Sequence, residues 1–248
     1  MLERALRWDG CVNVRDLGGL PTADGGETRV RRVVRADSVR GLSDAGWAAL
    51  ADYGVRSILD LRWHEELAED PPTELPLDVV HVSLLGDFDA AYGRELDALA
   101  AAQPTAVEAT REVYLAFLRR YAENFARAIA AIADAREGAV VVHCAAGKDR
   151  TGLVVALLLR LAGVRDGAIA ADYALSEASW APYVGRWIED AETERERARR
   201  ERLALCPPEA VIAVLAALER EHGAVDAYLR RAGATQDELD RAAARLLG

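Results

Sequence analysis

The chain has 248 residues, of which 51% are hydrophobic and 29% are charged, and its formal net charge at pH 7 is −10. A chain of this length can bury a sizeable core, and its apolar content argues against long disorder. Because nucleic-acid backbones require clustered cations, the acidic balance argues against a general nucleic-acid binder. The three cysteines cannot all pair within the chain, so a disulfide framework is not expected and a reducing compartment is favoured.

The N-terminal residues lack the apolar core of a signal peptide. The most apolar run, residues 153–162, is too short to span a bilayer and predicts a buried core helix instead. We therefore expect a cytoplasmic protein with no transmembrane segment, although export by another route stays open.

The first half of the chain alternates between strand and helix patterns. Ser43 is in the position of an N-cap, and the helix that it begins should end before Gly54. Turn-forming prolines at Pro71, Pro72 and Pro76 predict a loop. Apolar and β-branched runs predict strands over 8–16 (near a sheet edge), 32–35, 55–61, 79–85 and 139–143.

Helical patterns dominate after Asp87, where residues 103–105 should separate a short helix, about 88–102, from a long one that ends near Ala135. The other predicted helices are 151–162, about 165–178, one solvated helix over 180–202, and 208–222, 224–232 and 235–247. Strands that alternate with helices predict an α/β fold with a central mixed or parallel sheet covered on both faces. We expect one catalytic domain, residues 1–248.

The most informative segment is residues 140–152, where a β-branched run ends in His143-Cys144 and a short loop leads to a helix beginning at Thr151. A cysteine in this position faces unpaired N–H groups and the positive end of a helix dipole, and both favour the thiolate. Arg150 adds a planar cation that suits phosphate oxygens. The segment therefore predicts an anion pocket, and hydrolysis of phosphate esters through a cysteinyl-phosphate, rather than a buried cysteine and a solvated arginine.

Each residue of this segment has an expected role. Cys144 is the nucleophile, and Arg150 clamps two phosphate oxygens in the transition state. His143 braces the loop or is merely structural. The residues expected to bind the substrate phosphate, mainly through backbone N–H groups, are Ala145, Ala146, Gly147, Lys148 and Thr151. Lys148 suits a substrate with extra phosphates or is a solvated lysine, and the Thr151 hydroxyl donates to the thiolate or only caps the helix.

Residues 143–152 resemble the signature of the atypical bacterial tyrosine-protein phosphatase family, and residues 13–19, 35–38, 58–62 and 223–229 resemble its other conserved blocks. The resemblance implies a cysteine-phosphatase fold and a phosphatase of phosphotyrosine, with phosphoserine, phosphothreonine or phosphoinositide as further, dual-specificity-type substrates. It also implies a helical lid at about 86–120, for which a plain surface helix is the alternative.

The general acid is the least determined role. Asp149 is the first choice, supported by the family's aspartate at this position, although a salt bridge that orders the loop stays open. Asp87 or Asp89 is the second choice, because they occupy the chain position of the acid in dual-specificity phosphatases. Asp60, with Arg62 nearby, is interpreted as structural.

A metal site is not expected, because His64-Glu65-Glu66 lacks the second histidine that a zinc motif requires, and cysteinyl-phosphate chemistry needs no cofactor. Two other functions use a similar loop. Rhodanese- or arsenate-reductase-like chemistry would transfer sulfur or reduce arsenate, and an idle module would bind a phosphate ion or phosphopeptide without turnover. The intact Cys144 and Arg150 argue against the idle module.

Overall fold

The computed structural model describes residues 4–68 and 77–248 and contains one five-stranded sheet. Its strands are β1 (Arg15–Asp16), β2 (Val33–Ala36), β3 (Val55–Asp60), β4 (Asp78–His81) and β5 (Ala139–His143). Their order is β1-β2-β5-β3-β4, and only the β1–β2 pair is antiparallel. The predicted α/β fold with a mixed central sheet is confirmed.

Helices account for most of the remaining chain. They are α1 (Asp44–Asp52), α2 (His64–Ala68), α3 (Ala90–Ala101), α4 (Ala106–Arg120), α5 (Ala122–Asp134), α6 (Asp149–Leu161), α7 (Asp166–Glu189), α8 (Glu194–Ala204), α9 (Pro208–His222), α10 (Val225–Arg231) and α11 (Gln236–Leu247). Several begin where a side chain accepts a bond from the first turn, as the predicted N-cap Ser43 does for α1. None of the helices in the described part of the chain is long and apolar enough to cross a membrane.

The two faces of the sheet bury different residues of the same strands. In β5, Val140 and Val142 pack into a large core with α4, α5, α6, α9, α10 and α11. Ala139 and Val141 point the other way, into a smaller core with Leu50 of α1. This alternation with a period of two residues explains why the whole of β5 is apolar, since both faces are covered.

Two predicted strands are shorter in the structure. The edge strand predicted over 8–16 is reduced to β1, because the preceding residues form a turn closed by a bond from the Cys11 N–H to the Trp8 carbonyl at 2.9 Å. The strand predicted over 79–85 ends at His81, and a turn bonded from the Gly86 N–H to the Ser83 carbonyl follows. The predicted proline loop with Pro71, Pro72 and Pro76 lies outside the described residues.

Two predicted helices have different bounds. The long helix after residue 105 is broken at Tyr121, whose backbone leaves the helical region (φ −120°, ψ 27°) and separates α4 from α5. The solvated helix predicted over 180–202 is wrong, because its first part continues α7 through Pro182. Its second part is the separate helix α8, which begins where the Thr193 side chain accepts the Glu196 N–H.

Candidate active site

The loop after β5 lies at the centre of the carboxyl edge of the parallel strands. β5 has β2 on one side and β3 on the other, so its last residue, His143, is paired with Ala36 and Asp60. Cys144 follows and is only 2% exposed, and α6 begins at Asp149, two residues before the predicted start. The structure thus places Cys144 between a buried strand and the N-terminus of a helix, at the edge where ligands bind in such sheets.

Three consecutive carbonyl groups of this loop accept hydrogen bonds from residues that lie outside it. They accept bonds to Ala145 from the Ser38 N–H (2.9 Å), to Ala146 from Asn13 Nδ2 (2.9 Å) and Trp180 Nε1 (2.8 Å), and to Gly147 from Arg35 Nη2 (2.7 Å). Because the C=O and N–H of a trans peptide point in opposite directions, the N–H groups that follow these carbonyls face the inner side of the loop. Several convergent N–H groups form the kind of concavity that binds anions.

Gly147 is required by the path of the loop. Its φ is +64°, in the left-handed region, and a Cβ added there would lie 2.4 Å from the Ala36 carbonyl oxygen. Only glycine accepts both this conformation and this approach to β2 without strain.

A buried group of charges lies behind the loop. Asp172 of α7 pairs with Arg4 (2.8 Å), Arg15 (3.1 Å) and Arg35 (2.7 Å). Burial alone would raise the pKa of Asp172, but the three guanidinium groups hold it well below its usual range. Burial, together with the neighbouring Arg35, lowers the pKa of Arg15 to about 10. The group keeps a net positive charge that favours an anion in the loop.

Asp172→Asn should therefore destabilise the fold strongly. The variant leaves buried arginines without their carboxylate, and we expect a loss of about 3–5 kcal/mol in the free energy of unfolding at neutral pH. Because the folded-state pKa of Asp172 is depressed, its contribution is present above the unfolded-state value of about 3.9 and is lost as the pH falls below it. Denaturant unfolding, measured at a series of pH values from 7 downwards, gives the free energy of unfolding of variant and wild type. The difference between the two should become smaller below about pH 4.

The matched control for this prediction is Asp166→Asn on the same helix. Asp166 is 56% exposed and pairs with Arg160, so its loss should change stability by less than about 1 kcal/mol. Equal effects of the two substitutions would contradict a special role of the buried charge group.

Arg150 is held by Glu66 and Trp63, two residues whose contact with it the sequence did not predict. Its Nη1 and Nη2 donate to Glu66 Oε2 (2.5 Å) and Oε1 (3.0 Å), and its guanidinium lies 4.5 Å from the centre of the Trp63 ring. Burial lowers the pKa of Arg150, but the nearby Cys144 and Glu66 outweigh it and the pKa is raised. Nothing in the sequence near Glu66 indicated this contact, because Glu66 and Arg150 are 84 positions apart in the chain.

Asp149 lies at the start of α6, beside a pair of buried tyrosines. The Tyr114 hydroxyl is 2.6 Å from Asp149 Oδ1, to which it donates, and 2.7 Å from the Tyr173 hydroxyl. Burial and the Asp149 charge raise the pKa of Tyr114 well above its usual value, so its hydroxyl stays protonated. Lys148, for which the sequence left a phosphate-binding and a solvated role open, is not solvated: it is buried and donates to the Leu203 carbonyl at the end of α8.

The other candidate acids are placed differently. Asp89 caps α3 by accepting the N–H groups of Ala91 and Tyr92, and it also pairs with Arg120 at 3.0 Å. Asp87 is exposed just before that cap. Asp89 is therefore occupied in holding a helix end, whereas Asp87 is not.

His143 supports the loop through its ring contacts and adds no charge to it. Its Nδ1 is 3.2 Å from the Cys144 carbonyl oxygen, and its Nε2 is 3.5 Å from Asp60 Oδ2. Burial lowers the pKa of His143, so the ring is neutral at pH 7 and adds no positive charge. Asp60 pairs with Arg62 at 2.8 Å, in agreement with a structural role.

Thr151 is fully buried at the start of α6. Its hydroxyl has no hydrogen-bond partner among the described residues, so this structure contains neither of the two bonds that the sequence left open, the one to Cys144 and the helix cap.

A cysteine in a loop between a strand and a helix, beside a fixed arginine, is the arrangement expected of a cysteine phosphatase. The chain belongs to the tyrosine phosphatase family, whose model matches residues 6–248. It is 31% identical to the triple specificity protein phosphatase PtpB of Mycobacterium tuberculosis, over 96% of this chain and 98% of the relative. It is 30% identical to a tyrosine-protein phosphatase of Nostoc commune, over 86% of this chain and 73% of the relative. The predicted family and the predicted enzyme class, a protein-tyrosine phosphatase, are confirmed.

Proposed function

We propose that this phosphatase hydrolyses phosphomonoesters through a covalent cysteinyl-phosphate on Cys144 and without a metal ion. The Cys144 thiolate attacks phosphorus as the bond to the leaving oxygen breaks, and that oxygen takes up a proton. Water then cleaves the S–P bond, which releases phosphate and restores the thiolate. The observation that carries this proposal is the outward binding of the Ala145, Ala146 and Gly147 carbonyls, because it leaves N–H donors facing the phosphate position beside Arg150.

Phosphotyrosine is the proposed main substrate, with phosphoserine, phosphothreonine and phosphoinositide as further ones. The family supports the first, and the relative named as a triple specificity protein phosphatase supports a broader range. Lys148 is a buried cation of the loop itself and would suit a substrate with a second phosphate.

Phosphate release from a phosphotyrosine peptide, a phosphothreonine peptide and a phosphoinositide tests the proposal when EDTA is present throughout. We expect release that EDTA does not reduce, and a phosphoenzyme that can be trapped by acid quenching. Release that EDTA abolishes would contradict the mechanism. Transfer of sulfur from thiosulfate, without any phosphate release, would support rhodanese-like chemistry instead.

Asp149 is the proposed general acid, which protonates the leaving oxygen. A general acid must be protonated to act, so the rate should fall as pH rises. Asp149→Asn should release phosphate more slowly than wild type, and its rate should not fall on the basic side of the pH–rate profile. Tyr114→Phe is the companion variant, because it removes the donor to Asp149 while it keeps the carboxyl group.

An unchanged basic limb in Asp149→Asn would transfer the acid role to Asp87 or Asp89. Asp87→Asn would then be measured before Asp89→Asn, since loss of the Asp89 cap would also disturb α3.

The helical lid is proposed for about residues 86–120, and within this range α3 is the part that could serve as a lid, because it has no buried residue. α4, in contrast, buries Tyr114, Leu115 and Leu118 in the core.

A further inference from the structure

The contact between Glu66 and Arg150 joins two neighbouring strand ends. Glu66 lies in α2, shortly after β3, and Arg150 lies in the first turn of α6, shortly after β5. β3 and β5 are parallel neighbours, so their carboxyl ends lie side by side. The segment after β3 is itself anchored, because Asp60 at the end of the strand pairs with Arg62. Glu66 therefore projects from a fixed support rather than from a free loop.

The geometry leaves one edge of the guanidinium available. Arginine has five N–H donors, and the contact with Glu66 uses one on Nη1 and one on Nη2. Arg150 Nε donates to none of the residues that the structure describes. Glu66 thus binds the end of the fork, and the side edge that includes Nε stays open for two phosphate oxygens.

Trp63 contacts both Arg150 and Glu66 and supports the pairing between them. Its ring packs against the Arg150 guanidinium, and its backbone N–H donates to Glu66 Oε2 at 2.8 Å. The Trp63 ring is itself packed, since it meets the Phe88 ring edge-on with their centres 5.4 Å apart. A single short segment therefore fixes both the plane and the direction of the guanidinium.

A carboxylate beside a phosphate site is electrostatically unfavourable for binding a phosphate dianion. Glu66 partly neutralises Arg150 and repels the ligand, so it does not serve ground-state affinity. Orientation is the benefit that remains, because a clamp on the equatorial oxygens must match the geometry of the transition state.

We propose that Glu66, supported by Trp63, is a positioning residue that orients Arg150 for the transition state and does not strengthen ground-state phosphate binding. This inference rests on the proposed function of Arg150 as the phosphate clamp. Glu66 touches neither substrate nor the reacting atoms, and it acts only through the guanidinium.

The test compares Glu66→Gln with Glu65→Gln, which removes the same charge from an exposed neighbour on α2. For a phosphotyrosine peptide, kcat of Glu66→Gln should fall by about 10- to 100-fold. The inhibition constant of inorganic phosphate should stay equal or decrease, because a repelling charge is gone. Glu65→Gln should keep kcat within about two-fold of wild type.

A second background separates positioning from a general structural effect. In Arg150→Lys the fork is already lost, so adding Glu66→Gln should lower kcat by no more than about two-fold. If Glu66→Gln does not fold, Trp63→Leu replaces it, since it removes the supporting ring and should lower kcat with phosphate inhibition retained.

Three results would overturn the proposal: an unchanged kcat in Glu66→Gln, a parallel weakening of phosphate inhibition, or an equal loss in the Arg150→Lys background. Failure of the proposed function would be recognised separately, because Cys144→Ser would then still release phosphate. The phosphate inhibition measurements do not depend on a covalent intermediate.

Discussion

Replacing Cys144 by serine is expected to abolish phosphate release and to leave phosphate binding intact. The serine hydroxyl has nearly the same size as the thiol, so the outward bonds of the loop carbonyls should survive the change. A hydroxyl is not ionised at neutral pH and is a far poorer nucleophile than a thiolate. We expect the turnover rate to fall by about 10⁴-fold or more.

The other two cysteines provide the control for this prediction. Burial and the adjacent Asp37 raise the pKa of Cys11, and burial raises the pKa of Cys206 to about 11. Both thiols are therefore protonated at neutral pH and cannot replace Cys144 as nucleophiles. Cys11→Ser should retain activity, because a hydroxyl can keep the bond to the Ser38 carbonyl.

The measurement for Cys144→Ser is phosphate release, together with calorimetric titration of inorganic phosphate into wild type and variant. Turnover above about one hundredth of the wild-type rate would rule out the covalent mechanism. Loss of phosphate binding together with turnover would show that the substitution disturbs the loop, and Cys144→Ala would then be measured.

Arg150→Ala has the second-largest expected effect, a loss of about 10²- to 10³-fold in kcat. Two consequences act together in this variant. The clamp on the developing charge is removed, and Glu66 is left without its partner near the phosphate position. The second consequence adds repulsion, so the loss should exceed that of a single neutral hydrogen-bond donor.

Arg150→Lys distinguishes shape from charge. Lysine keeps the positive charge but lacks the planar fork that binds a carboxylate on one edge and phosphate oxygens on another. We expect it to recover part of the phosphate affinity and little of kcat. Arg160→Lys, at the far end of α6, is the matched control and should change kcat by no more than about two-fold. A fully active Arg150→Lys would contradict the clamp.

The parts of this molecule that follow from local sequence were predictable. The loop from Cys144 to Arg150 is continuous in the chain, and its strand and helix are marked by β-branched residues before it and a helical run after it. The cap at Ser43 is likewise local. Such features depend on neighbours within a few positions, which a sequence displays directly.

The residues that hold the site could not be identified in the same way. Asn13 and Ala146 are 133 positions apart, and Arg35 and Asp172 are 137 positions apart, yet each pair shares a hydrogen bond. Their pairing is decided by the order of the strands and by where α7 crosses the loop. The break at Tyr121 was also missed, because neither glycine nor proline marks it.

The hydrogen bonds that hold the loop from outside determine when, during synthesis and folding, the loop can take its final shape. The four groups that bind its carbonyls belong to Asn13, Arg35, Ser38 and Trp180, and these positions are spread from just before β1 to α7. During synthesis, the last of them, Trp180, emerges well after Cys144. A nascent chain released at Lys148 would lack the Trp180 contact, so we expect the reactivity proposed for Cys144 only after tertiary assembly is complete.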